Sequence, residues 1–272
     1  MANGERELPH SGAPFERARH SDAAYDSASQ RAARRAALEA LNADGIPYVI
    51  AGAYAMREYT GIYRDTKDLD VFSKREDAQP ILASLSRVGF RVEMTDPLWI
   101  AKGFADDGEF IDVIFSSGNG VAEVDDHWFA RARESHVLGV PARLAPPEEM
   151  IWSKAYVMER ERYDGADVQH LIRACGETMD WRYLLARMRA HPEVLLAHVL
   201  LFRYSFPGER DKVPAWALDA LIDACRRPVR EDERALCRGT LLSNCQYAGD
   251  VQGGLADARP LEVPAWRVYR GH

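Results

Sequence analysis

The alternation of apolar and polar positions is clearest between residues 46 and 72, where it predicts two strands around a helix. An apolar run from Tyr48 to Ala51 is typical of a buried strand, and Gly52 ends it. The following residues place apolar side chains at helical spacing until Gly61, a residue type that commonly ends helices. The chain is therefore expected to turn sharply at Gly52 from a strand into a short helix.

The second strand begins near Lys67, and its period of two separates charged from apolar side chains. Asp68 and Asp70 fall on one face, whereas Leu69 and Val71 point into the core. Two carboxylates this close repel each other unless a cation lies between them or one takes up a proton. On these residues alone, a cation site and a solvated strand face fit the pattern equally well.

Further strand-like segments follow a predicted helix from Glu76 to Val88. They run from Arg91 to Met94, from Trp99 to Phe104 and from Phe110 to Phe115, with a hairpin turn at Asp106-Asp107-Gly108.

The last of these segments carries one carboxylate, Asp112, among apolar side chains. An unpaired charge is costly to bury, so Asp112 needs either a partner or a place on a water-facing edge strand. A cation shared with Asp68 and Asp70 would supply the partner.

Helical spacing dominates the remainder of the chain and also its start, from Ser29 to about Asn42. The C-terminal helices are predicted at Met150 to about Glu161, Asp164 to Cys175, Trp181 to Met188, Glu193 to Tyr204, Ala215 to Cys225 and Asp232 to Arg238. We expect the α/β (α+β) class, with a mixed-sheet core and a helical C-terminal portion. The expected divisions are an N-terminal arm (1–28), the core (29–145) and the helical region (146–272).

Composition narrows the classes of function. With 272 residues, 47% of them hydrophobic, the chain is ordinary for a globular protein, and it has no run long enough to span a membrane. The net charge of −7 argues against a protein that coats nucleic acid. The cluster Arg31, Arg34 and Arg35 fits a solvated helix face better than a nucleic-acid-binding patch.

The polar first 29 residues lack a signal-peptide core, so we expect a flexible arm and a cytoplasmic location. The 4 cysteines show no CxxC spacing and are expected to be free thiols.

The residues around Gly52 favour the cation site over the solvated face. Gly52 has no side chain, so backbone amides can approach a ligand closely, and the helix that follows offers its N-terminus to an anion. Magnesium takes oxygen ligands and is commonly held by carboxylates together with substrate phosphates. An anion cradle one helix before Asp68 and Asp70 therefore predicts a nucleoside triphosphate site with Mg²⁺, or Mn²⁺ in its place.

This stretch resembles the nucleotidyltransferase superfamily related to DNA polymerase beta. The resemblance lies in Gly52-Ala53-Tyr54-Ala55 and in the run from Gly61 to Asp70, which correspond to the small-residue pair that opens a helix and to Asp-x-Asp on the next strand. It implies that Asp68, Asp70 and Asp112 hold the metal and that the amides of Gly52 and Ala53 contact phosphates. Ala53 departs from the usual glycine or serine, so a hydroxyl contact to phosphate is lost.

A second segment extends the resemblance to nucleotidyltransferases akin to the abortive-infection toxins. It comprises Pro147-Glu148-Glu149-Met150-Ile151-Trp152-Ser153-Lys154, followed by Arg160, Arg162, Asp164 and Asp167. The resemblance implies that Lys154 and Asp167 complete the active site, with Lys154 facing the triphosphate. The alternatives are a surface lysine paired with Glu148 or Glu161, and an ordinary helix pair for Asp167.

Together these features predict transfer of a nucleotide from a nucleoside triphosphate to a hydroxyl group, with Asp112 helping to deprotonate that hydroxyl. Arg64 is a further candidate for phosphate contact, and a salt bridge to Asp65 or Asp68 fits it equally well. Transfer RNA, a protein and a small molecule all remain possible acceptors. A nucleotide-binding sensor or interaction module without turnover is the alternative, favoured by the loss of the hydroxyl at Ala53.

Overall fold

The structure is a computed structural model that describes residues 28–63, 66, 68–106, 108 and 110–260. The predicted N-terminal arm lies outside the described residues except for its last position, and so does Arg64. Among the described residues, no helix has the length and apolar content that a membrane crossing requires.

Seven strands form one mixed sheet, in the order β3-β4-β5-β2-β1-β7-β6. Their bounds are β1 Val49–Ile50, β2 Asp68–Phe72, β3 Arg91–Asp96, β4 Ile100–Phe104, β5 Phe110–Ile114, β6 Arg133–Val137 and β7 Val140–Leu144. The β2–β5 and β1–β7 pairs are parallel, and the other neighbours are antiparallel. The predicted mixed-sheet α/β class is confirmed.

The helices follow the apolar periodicity of the sequence. Their bounds are α1 Ala28–Ala43, α2 Gly52–Thr60, α3 Ala78–Arg87, α4 Asp126–Ala130, α5 Pro147–Lys154, α6 Gly165–Cys175, α7 Trp181–Arg187, α8 Pro192–Ser205, α9 Ala215–Cys225 and α10 Asn244–Gln252. Helix α3 packs on α1 and on strands β3 and β4, while α2 packs on α6, which also contacts α5 and α8. The buried side chains of these elements form one core cluster that runs from the sheet into the helical portion.

Two helix predictions are wrong, the first in the extent of the helix and the second in the type of element. Helix α5 ends at Lys154 rather than near Glu161, because the chain turns back through an isolated bridge between Met158 and Tyr163. The segment from Asp232 to Arg238 is not an α-helix, since it contains the end of a short 3-10 turn and strand β8, Leu236–Cys237. Strand β8 pairs in parallel with β9, Ala256–Asp257, a contact between segments far apart in sequence.

One basic residue of the first helix is not solvated, contrary to expectation. Arg34 is fully buried and donates hydrogen bonds to the Tyr54 hydroxyl at 2.8 Å and to the Thr66 carbonyl at 2.9 Å. It therefore ties α1 to α2 and to the segment that precedes β2. All four cysteines are free, as predicted, and Cys175 and Cys237 are buried.

Candidate active site

Strand β2 presents two carboxylates on one face, as its alternation predicts. Leu69 and Val71 are fully buried on the other face, and Asp68 and Asp70 are partly accessible. The Thr66 hydroxyl donates a short hydrogen bond to Asp68 Oδ1 and so fixes the first of the two side chains.

Strand β5 adds the third carboxylate beside them. In the parallel register, Asp112 lies directly opposite Asp70, so the strand hydrogen bonding brings their side chains together on one face. Asp68, Asp70 and Asp112 each offer a carboxylate oxygen, and these oxygens all lie within 4.8 Å of one another. Asp112 is only 8% exposed, so it is not the water-facing residue of the alternative interpretation.

The electrostatics of this acidic cluster favour a bound cation. Burial raises the pKa of Asp70 to about 7, and the neighbouring charges of Asp68 and Asp112 add to the rise. Burial also raises the pKa of Asp112, although a hydrogen bond from Lys102 opposes it. Three hard oxygen donors that repel one another match the ligand preference of Mg²⁺ or Mn²⁺, so the residues fit such an ion.

Gly52 lies against this cluster at the first position of α2. Its φ is +52°, a conformation that side chains disfavour, and a Cβ built there would overlap Asp70 Oδ2. The glycine therefore allows the first turn of α2, including Ala53, to approach the carboxylates. This turn presents backbone amides next to the candidate cation site, the arrangement that binds phosphate oxygens.

Lys154, the last residue of α5, lines the same cleft as Asp70. Its Nζ is 2.9 Å from Asp164 Oδ2 and 2.9 Å from Asp167 Oδ2. Arg162 adds a second cation, with Nη2 at 3.1 Å from Asp164 Oδ2. Burial disfavours the Lys154 ammonium, but the two carboxylates outweigh it and hold its pKa above the usual value. The alternative pairing of Lys154 with Glu148 or Glu161 is not observed.

The cleft between these groups has a volume of about 480 Å³. Gly52, Asp70 and Lys154 line it, together with Trp99, Asn119 and Arg259. Asp164 also lines the cleft, and Asp167 is linked to it by its ion pair with Lys154.

The C-terminal segment closes part of this cleft. Asn119 donates a hydrogen bond to the Leu241 carbonyl at 2.8 Å, and Leu241 and Leu242 line the cleft wall. Arg259 pairs with Asp257 on β9, which also accepts from the Thr240 hydroxyl at 2.7 Å. Asn119 was not singled out from the sequence, because its contact joins positions that are 122 residues apart.

Lys102 is the other functional candidate that the sequence analysis missed. Its Nζ lies 2.6 Å from Asp112 Oδ1. A signal was present, since the turn predicted at Asp106-Asp107-Gly108 places residues 102 and 112 at equal distances from its centre, position 107. In an antiparallel hairpin such positions face each other, and the structure pairs them so.

Comparisons with known proteins find no match in sequence and several similar folds. No family model matches the chain, and no curated protein matches it significantly. Among solved structures it is similar to the antibiotic-resistance factor ANT(2'')-Ia, at 20% identity and a TM-score of 0.45, covering 62% of this chain and 96% of that one. It is similar to the lincosamide antibiotic adenylyltransferase LnuA, at 14% identity and a TM-score of 0.39, covering 52% and 94%.

A third similar structure is an antigenic nucleotidyltransferase-like protein from Paracoccidioides brasiliensis, at 16% identity and a TM-score of 0.35, covering 63% of this chain and 93% of that one. These likenesses concern the fold alone, and function must be judged from the side chains.

Proposed function

We propose that this protein is a metal-dependent nucleotidyltransferase, which moves a nucleotide from a nucleoside triphosphate to a hydroxyl group of an acceptor. The observation that carries the proposal is the convergence of Asp68, Asp70 and Asp112, whose carboxylate oxygens lie within 4.8 Å of one another. The cluster lies beside Gly52, in the first turn of α2. Carboxylates placed for a divalent cation next to free backbone amides suit a triphosphate better than any uncharged substrate.

In this reaction the acceptor oxygen bonds to the α-phosphorus, and the bond from that phosphorus to the oxygen bridging to the β-phosphorus breaks. The acceptor loses its hydroxyl proton, and pyrophosphate leaves. Asp68, Asp70 and Asp112 would hold the divalent cation. When bound, such an ion stabilises the negative charge that develops on the transferring and leaving oxygens.

The residues of the chain divide the remaining tasks. Asp112 is suited to accept the hydroxyl proton, because burial raises its pKa above that of an ordinary aspartate. The first turn of α2, at Gly52 and Ala53, orients phosphate oxygens through its amides. Lys154 and Arg162 line the same cleft as Asp70 and offer cationic hydrogen-bond donors to the pyrophosphate as it leaves.

The test is transfer of label from α-³²P nucleoside triphosphates, each supplied with Mg²⁺ or Mn²⁺, to pools of transfer RNA, proteins and small hydroxylated molecules. We expect labelled product with the wild-type chain and none with Asp68→Asn or Asp70→Asn. Asp219→Asn, an exposed position on α9, is the matched control and should retain transfer. Transfer that persists in both cluster variants would overturn the proposal.

A nucleotide-binding module without turnover is the second candidate, and Ala53 is the observation that favours it. The first turn of α2 has no hydroxyl at this position to contact a phosphate. Tight triphosphate binding with no labelled product in any pool would support this candidate. A gain of transfer in Ala53→Ser would then identify the missing hydroxyl as the cause, whereas turnover that stays absent in that variant would count against this reason.

A further inference from the structure

Lys102 lies in the row of side chains that crosses the sheet through the acidic cluster. In register, Lys102 on β4 faces Asp112 on β5, and Asp112 faces Asp70 on β2. Nζ of Lys102 is 2.6 Å from Asp112 Oδ1 and 4.4 Å from the centroid of the Phe110 ring. Contacts on two sides therefore fix the ammonium at the edge of the cluster.

The charges at the cluster point to a specific number of divalent ions. Asp68, Asp70 and Asp112 carry three negative charges when ionised, and Lys102 offsets one of them. The two that remain equal the charge of one divalent cation. Around Lys154, two cations face two carboxylates, so the charges of that group sum to zero.

We propose that Lys102 is a permanent counter-charge that limits the acidic cluster to one divalent cation in the absence of nucleotide. The inference rests on the metal site of the proposed function and concerns how many ions that site takes. Metal pairs in phosphoryl-transfer sites lie about 3.5–4 Å apart and commonly share a carboxylate. A second ion beside Asp112 would lie close to the Lys102 ammonium, and the repulsion at such distances is strong.

Lys102 is a positioning residue in this scheme, because it acts through its contact with Asp112. A second ion would then enter only with the triphosphate, whose own negative charges outweigh the ammonium. The substitution that isolates the charge is Lys102→Met, which keeps an unbranched apolar stem over Phe110.

The experiment counts Mn²⁺ ions bound per chain, by electron paramagnetic resonance of the free ion, on the full chain at pH 8 without nucleotide. We expect one ion for the wild type. Lys102→Met should bind a second ion, because the positive charge beside Asp112 is removed. Lys102→Arg should behave as the wild type.

Arg91→Met is the matched control, since Arg91 also stacks on an aromatic ring of this sheet, 4.3 Å from the Phe104 centroid, without contacting the cluster. It should leave the count and the affinity unchanged. Two ions in the wild type would overturn the proposal, and so would a Lys102→Met variant that binds the wild-type number of ions. If Lys102→Met does not fold, Lys102→Gln replaces it under the same criteria.

The failure of this inference is distinguishable from failure of the proposed function. If the wild type binds two ions and transfers nucleotide, the counter-charge proposal fails and the proposed function stands. A wild type that binds no Mn²⁺, and whose transfer is insensitive to chelators, overturns both.

Discussion

Replacing Asp70 with asparagine is expected to abolish nucleotide transfer and, in the absence of metal, to make the protein more stable. The pKa of Asp70 rises from an ordinary value of 3.8 to about 7, because burial and then the charges of Asp68 and Asp112 disfavour the carboxylate. A raised carboxylate pKa means that the folded state holds the proton more tightly than the unfolded state. The ionised group therefore opposes folding.

The size of the effect follows from that shift. Roughly 3 pKa units correspond to about 4 kcal/mol at pH 8, where Asp70 is ionised in both states. Two effects reduce this figure: Asp70 is partly accessible to solvent, which weakens the penalty, and the asparagine amide costs about 1 kcal/mol if it lacks a hydrogen-bond partner. We therefore expect the free energy of unfolding to rise by about 2 kcal/mol in Asp70→Asn. For a chain of this length that gain raises Tm by roughly 5 °C.

Thermal unfolding of wild type and Asp70→Asn in EDTA, between pH 4 and pH 8, checks this expectation. The difference should be small near pH 4, where the wild-type carboxylate is protonated, and should grow as the pH rises through 7. Saturating Mg²⁺ should shrink or reverse the difference, because only the wild type binds the ion well. Asp219→Asn should show no such pH dependence.

The reasoning is refuted if Asp70→Asn is no more stable than the wild type at pH 8 in EDTA. A gain that is the same at pH 4 and pH 8 would also refute it, since packing rather than charge would then be the cause.

Three further substitutions test other parts of the site. Gly52→Ala should abolish transfer and destabilise the fold by at least about 2 kcal/mol, because its Cβ overlaps a cluster carboxylate. The control Gly45→Ala, at φ +66° in open space, should cost about 1 kcal/mol and keep transfer. Equal losses of stability in calorimetry and of activity in the two variants would contradict this expectation. Lys154→Met should lower kcat at least about 100-fold and destabilise the chain by about 3 kcal/mol at pH 8, since it removes the buried ammonium that pairs with Asp164 and Asp167. Wild-type stability in urea unfolding would count against this expectation. Arg187→Met should destabilise the fold by about 3 kcal/mol, because it removes the cation that pairs with the fully buried Glu149. Adding Glu149→Gln to this variant should restore part of the lost stability. Urea unfolding that shows no restoration would contradict the pairing.

The parts of the fold that the sequence predicts well are those with a regular period. The alternation from Asp68 to Phe72 recurs in the burial of Leu69 and Val71, and the expected end of α2 at Gly61 is a left-handed residue in the structure. Such signals are local, because the period reports which face of a single element is buried.

The parts that escaped prediction depend on contacts between distant segments. Strands β8 and β9 have two residues each, too few to show a period, and they exist because they pair with each other. Arg34 looks like a surface residue in sequence, and it is buried because Tyr54 and Thr66 accept its hydrogen bonds. The pairing of Lys102 with Asp112 similarly depends on strand register, which a single strand does not reveal.

The bond from Asn119 to the Leu241 carbonyl has a consequence for biosynthesis. A ribosome delivers the three acidic ligands by position 112 and the lysine at position 154 well before the wall residues Leu241, Leu242 and Arg259. The three aspartates are therefore synthesised before the residues that form this wall of the cleft. A message cut short before codon 237 would encode the aspartates and lack these wall residues.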